Sequence, residues 1–370
     1  MIFQKAIDLS IRVFLCILPL FLFKDYIPSY IQGMFFLMGV FFLYGLTLGT
    51  QPVRRFKDTW LKFIYLWLLV CVFFKVSVTP SGEWFNFWTS SAGFLYVLAG
   101  ITLFIITYSY VCEIEKFFYP IIVVCIINAI FVLFQLTGHD LLWTHAPNIS
   151  GFFSSENQLS QYSVIAFPLC YFINPYLSII PLFNLISSGS LSGYLALSIG
   201  LGFLIITKQI RKFIGIGIII MLIVAFAATH PSAKISSWLL GSRFPAWENS
   251  INLILKKPYL GYGYQSYNEI AGGNEAGIGH YSEKANPASD WLHNGLEFGM
   301  PFLIVVGLFL YNLFKKFKGK KKERITYFLA SSVIIGLSLM NWQNMIRFAA
   351  VGGMFIVILA LLTRSLDEVI

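Results

Sequence analysis

Arg243 and His293 stand out in this sequence because each carries a reactive group within a polar stretch of an otherwise apolar chain. A guanidinium presents a rigid fork of donors that matches the oxygens of a phosphate or diphosphate two at a time. An imidazole titrates near neutral pH and can take a proton from an attacking hydroxyl. Around them lie Trp247, Pro258, Gly261, Gly263, Asn294, Glu297 and Gly299, within GSRFPAWENSINLILKKPYLGYG from Gly241 and ASDWLHNGLEFG from Ala288. Simpler alternatives stand beside these roles. Arg243 could contact lipid headgroups, His293 could sit in the capping region of a helix, and Gly261 and Gly263 could be turn residues, since Gly-x-Gly alone is weak evidence for a phosphate cradle. Metal binding finds no recognisable ligand set: the polar loop has no Asp-x-Asp, and His280 is too far from His293 in sequence to read as a pair. No metal and no cofactor is expected.

The elements that must hold these residues follow from composition. Of 370 residues, 57% are hydrophobic, 18% aromatic and only 12% charged, against about 25% charged in soluble proteins. Mean hydropathy is +0.74. The apolar residues come in runs of about 16 to 20, the length a helix needs to cross hydrocarbon. They lack the alternation of barrel strands, so the backbone must pair within helices. The expected fold is an all-α integral membrane protein of about twelve transmembrane helices. The spans fall near 9–23, 30–48, 62–78, 91–111, 120–137, 158–173, 176–187, 193–206, 213–228, 296–314, 325–340 and 348–362. The first and seventh are short enough to be half-helices or re-entrant segments. Residues 1–228 then hold nine helices, 229–295 a long periplasmic loop, and 296–370 three helices with a cytoplasmic C-terminus. Within the loop, apolar positions at helical spacing (Trp247, Ile251, Ile254) predict an amphipathic helix over 243–257, stopped by Pro258.

The net charge of +9 is a topology signal rather than a nucleic-acid footprint. Seven cations between Lys315 and Arg324 occupy one short connection, which the positive-inside rule puts in the cytoplasm. With the N-terminus inside, 18 of the 26 Lys and Arg residues fall on that face, and the loop carrying Arg243 and His293 faces the periplasm. Cys16, Cys71, Cys112, Cys125 and Cys170 show no CxxC spacing and read as packing residues. No GxxxxGK[ST] links the chain to ATP.

The order Arg243, Trp247, amphipathic helix, Pro258, Gly261-x-Gly263, and then His293-Asn294 before Glu297-x-Gly299 and a span, resembles the signature loop of the O-antigen ligase and O-antigen polymerase superfamily. Gly151 to Gln158, GFFSSENQ, is similar to that family's Gly-x-Phe-x-x-x-Asn segment and adds Asn157. The resemblance covers about residues 138–314. It implies a GT-C-like membrane enzyme of the bacterial inner membrane that takes glycan from undecaprenyl diphosphate on the periplasmic face, without metal and with inversion. Arg243 would stabilise the leaving diphosphate and His293 would act as general base, with Trp247, Gly261, Gly263, Asn294 and Asn157 contacting substrate. The acceptor would be a growing glycan or lipid A core. Membrane lipids and a chain-length regulator would be further partners, and nucleic acid none. Between polymerisation and ligation, residues 229–294 carry five cations and five anions, no basic surface for a phosphorylated core, which favours polymerisation of O-antigen or capsule repeats. A protein O-oligosaccharyltransferase is a third form of the reaction, and a transporter or lipid flippase is the rival from another class. In ISSGSLSG, from Ile186, the position where the family carries a cation is Leu191; Arg347 and then Lys234 are the expected substitutes.

Overall fold

A computed structural model describes residues 2–20, 29–53, 64, 66, 67, 94–139, 149–153, 155–229, 244–262, 289–318, 322–343, 345 and 349–368. Among them the chain is helical, with no strand. The helices are α1 (Ile2–Leu20), α2 (Ser29–Thr47), α3 (Phe94–Tyr110), α4 (Phe118–Leu136), α5 (Glu156–Ile173), α6 (Ile179–Ser188), α7 (Leu191–Ile206), α8 (Lys212–Thr229), α9 (Phe244–Lys256), α10 (Asp290–Lys318), α11 (Arg324–Trp342) and α12 (Ala349–Glu368). Among the described residues four helical segments are long and apolar enough to cross a bilayer: Glu115–Leu136, Asp290–Lys318, Arg324–Trp342 and Ala350–Glu368. This is an all-helical membrane protein.

Helix α11 is the central post. It packs against α5 and α7, and α12 packs against α3. Serines make the close approach: Ser332 Oγ donates to the Ile165 carbonyl of α5 at 2.8 Å, and Ser331 Oγ to the Gly200 carbonyl of α7 at 3.1 Å. A hydroxyl bonded to a neighbouring backbone lets helices touch where lipid offers no partner, at a typical gain of about 0.6 kcal/mol each. α6 has only ten residues, about 15 Å of helix, so the short element expected near 176–187 is half-length.

One end of the bundle is a charge clamp. Arg364, 4% exposed, donates to the Tyr108 carbonyl at 3.0 Å and to Glu368 at 2.9 Å. Asp367 accepts from the Tyr108 hydroxyl at 2.8 Å and from Lys316 at 3.1 Å. These contacts tie α3, α10 and α12 together beside the basic connection. At the same end, Asp8 pairs with Arg12 at 2.8 Å and accepts the Cys112 N–H at 2.8 Å.

α9 forms where an amphipathic helix was expected, but its buried face is shifted from the expected one: Ile254 is buried, Trp247 half-buried and Ile251 exposed. Ala246, Ser250, Leu253 and Ile254 are buried, while Phe244, Ile251 and Leu255 are exposed. Its buried side lies on the first turns of α10, where Leu296 meets Leu253 and Ile254.

Candidate functional site

His293 lies in the second turn of α10. Ser289 precedes this helix, its carbonyl accepting the His293 N–H at 3.0 Å. Four residues on, Glu297 shares the helix face, and His293 Nε2 is 3.2 Å from Glu297 Oε1. Glu297 is fully buried and His293 nearly so, at 0% and 7% exposure. A carboxylate in that setting accepts the Nε2–H, which fixes the ring. One turn earlier, Asp290, also fully buried, accepts the Met345 N–H at 2.7 Å. It joins the start of α10 to the chain just beyond α11.

The position of His293 depends on a break nearly two turns below it. Gly299 has φ +78° inside α10, and the regular bond from Met300 N–H to the Leu296 carbonyl is lost. Both groups are satisfied by the turn after α9: Met300 N–H donates to the Pro258 carbonyl at 2.7 Å, and Leu296 O accepts the Tyr262 N–H at 2.8 Å. The Phe298 carbonyl, freed by the same kink, accepts the Trp67 indole at 3.0 Å. The two backbones cross so closely that a Cβ at Gly261 would strike the carbonyls of Leu296 and Glu297, and one at Gly299 the carbonyl of Tyr259. Gly261, at φ +63°, is therefore required for this crossing.

Asn294 lines, with Trp291, an apolar cavity of about 200 Å3 between α3, α10, α11 and α12. Val97, Ile101, Phe302 and Ile356 form its walls. At the same end of the bundle Trp247 of α9 meets Trp342, the last residue of α11, with ring centroids 5.4 Å apart. Next to Trp342, Gln343 donates to Asn157 Oδ1 at 2.8 Å and also to Ser192 Oγ. Gln161 donates to Gln343 Oε1, and Ser190 Oγ to Asn157 Oδ1 at 3.2 Å.

The structure thus gathers His293, Asn294, Trp247 and Asn157 at one end of the bundle, with Gly261 as a packing position. Arg243, Lys234, Gly263 and Arg347 lie outside the described residues, as do His280 and most of the 62–78 span. In the Gly151–Gln158 segment, Phe152 and Phe153 are core, and Gln135 Oε1 holds the Gly151 N–H at 2.9 Å; Asn157 is the residue that reaches the site. Leu191, where a cation was missed, is buried between Ser190 and Ser192. Sequence reasoning passed over Asp290, Gln161, Ser192, Trp342 and Gln343, and gave Glu297 no role. The i, i+4 spacing of His293 and Glu297 was a usable signal. Gln161 and Gln343 bond across 182 residues and had none. No protein-family model and no curated protein matches the chain.

Proposed function

We propose that this chain is a membrane glycosyltransferase that moves a glycan from undecaprenyl diphosphate to an acceptor hydroxyl, with its active site at the His293 end of the bundle and that end facing the periplasm across the bacterial inner membrane. One observation carries the reading: a buried His–Glu pair sits beside Asn294, at the lip of an apolar cavity within the helices. Reactive polar groups next to hydrocarbon-lined space suit a substrate that is half sugar diphosphate and half lipid. In the step itself the acceptor oxygen bonds to the anomeric carbon as the bond to the diphosphate oxygen breaks. The hydroxyl proton passes to the His293 imidazole, Glu297 holds the resulting imidazolium, and the diphosphate leaves on its lipid with the bonding pair. Arg243 is the proposed charge partner of that leaving group. The even charge balance of residues 229–294 favours repeat-unit polymerisation over ligation to lipid A core.

The test uses cells lacking this chain, in which lipid-diphosphate glycan should accumulate. Purified wild-type protein added to their membranes should consume it and build a ladder of repeats, while His293→Ala should be slower by about 100-fold or more. A single transfer to lipid A core would make the chain a ligase, and undiminished donor with well-folded protein would overturn the reading.

A further inference from the structure

We propose that the ends of α5, α7, α9 and α11 around Gln343 form a recognition site for a neutral sugar ring, with the Trp247–Trp342 pair as stacking face and the Asn157, Gln161, Ser192 and Gln343 side chains reading hydroxyls. The inference rests on the glycosyl-transfer reading for its place in a reaction, but its evidence is separate. Four stretches far apart in sequence converge here, and among the described residues every side chain in the hydrogen-bonded cluster is an amide or a hydroxyl. Such groups both donate and accept, as each sugar hydroxyl does. Among the described residues a buried carboxylate, Asp290, is tied to this corner through Met345, and Glu156 and Glu248 adjoin Asn157 and Trp247 in the chain, which disfavours an acidic sugar.

The cluster is also open in the chemical sense. It starts at the exposed Asn157 and runs inward to Gln161, 1% exposed. Gln161 Nε2 is spent on Gln343, yet its Oε1 has no hydrogen-bond partner among the described residues, and the same holds for the buried hydroxyl of neighbouring Ser160. A network whose only task was to fasten helix ends would close on itself, because an orphaned buried acceptor is costly. Ser190 repeats the pattern: it stands at the N-cap of α7 but makes no capping bond, giving its hydroxyl to Asn157 instead. Beside this, the two indoles are half-buried and meet at 48°. The negative face of an aromatic ring packs well on the C–H face of a pyranose, and Trp342 adjoins Gln343 in the chain, so stacking and hydroxyl contacts can fall on one ring.

The experiment is saturation-transfer NMR on the purified full-length protein in detergent, with free galactose, mannose, rhamnose and N-acetylglucosamine as probes and glucuronate as the acidic comparison. At least one neutral sugar should receive saturation and glucuronate should not. Trp342→Ala, Trp247→Ala and Gln161→Leu should each cut the signal about fivefold or more. Trp342→Phe, which keeps a stacking ring, should retain most of it, and Leu255→Ala on the outer face of α9 should leave it intact. No signal from any neutral sugar, or a signal indifferent to Trp247, Trp342 and Gln161, overturns the site even if the chain transfers glycan. Tryptophan-dependent sugar binding by a protein that consumes no lipid-diphosphate donor would leave the site standing and overturn the enzyme.

Discussion

Glu297 has no exposed surface, and a carboxylate in that position is costly unless something shares its charge. His293 is the partner on the same helix face, so the pair must be judged together. Glu297→Gln keeps the shape and one acceptor but removes the charge that would hold an imidazolium. The expected outcome is a drop in kcat of at least about 10-fold with KM little changed, since only the proton-transfer step loses support. Donor consumption over a range of donor concentrations measures both. Wild-type kcat in Glu297→Gln would reduce Glu297 to a packing residue. Arg243→Lys should also be impaired, because a point charge does not reproduce a planar fork.

At the level of elements, the α9 turn and the kink of α10 exchange backbone bonds through two glycines in left-handed conformations. Alanine at Gly261 or Gly299 pays about 1–2 kcal/mol for its φ alone and must also push two carbonyls apart. Each variant should therefore melt several degrees lower in detergent than wild type. The double variant should lose less than the sum, because either change already opens the crossing. The kink also explains where sequence reading stopped short. A span was expected from about 296, since Asp290, His293, Asn294 and Glu297 lower the local hydropathy, yet α10 begins at Asp290. Asp290, His293 and Glu297 are tolerated in the helix because they turn toward protein partners, a distinction that averaging along a chain cannot make. α9 was legible because its apolar spacing is local. The Gln161–Gln343 cluster was not, because nothing within either segment points to the other.

Taken whole, the bundle has two unlike ends: neutral amides, indoles and the His–Glu pair at one, and the basic connection with its Arg364 clamp at the other. The proposed orientation, with the basic end in the cytoplasm, can be read from a native residue. Cys112 is an exposed thiol at the basic end, whereas Cys125 and Cys170 are buried. In a Cys71→Ser background, a membrane-impermeant maleimide should label Cys112 in inverted vesicles and spare it in right-side-out ones. The reverse pattern would move the proposed site to the wrong leaflet. Partial burial, and then the Asp8 carboxylate, push the Cys112 thiol above its ordinary range. Less of it is thiolate near neutral pH, so labelling should be slower at pH 7 than that of a free thiol and should keep accelerating as pH rises past 9.

The crossing of Pro258–Tyr262 over Leu296–Met300 also bears on chain continuity. The two sides of that crossing are fastened to each other by their own backbone bonds, whatever joins Tyr262 to Ser289 along the chain. A chain opened within that stretch would still hold α9 against α10, with His293 seated by the same backbone bonds. A change in the length of 263–288 should therefore leave the register of α10 against α9 intact.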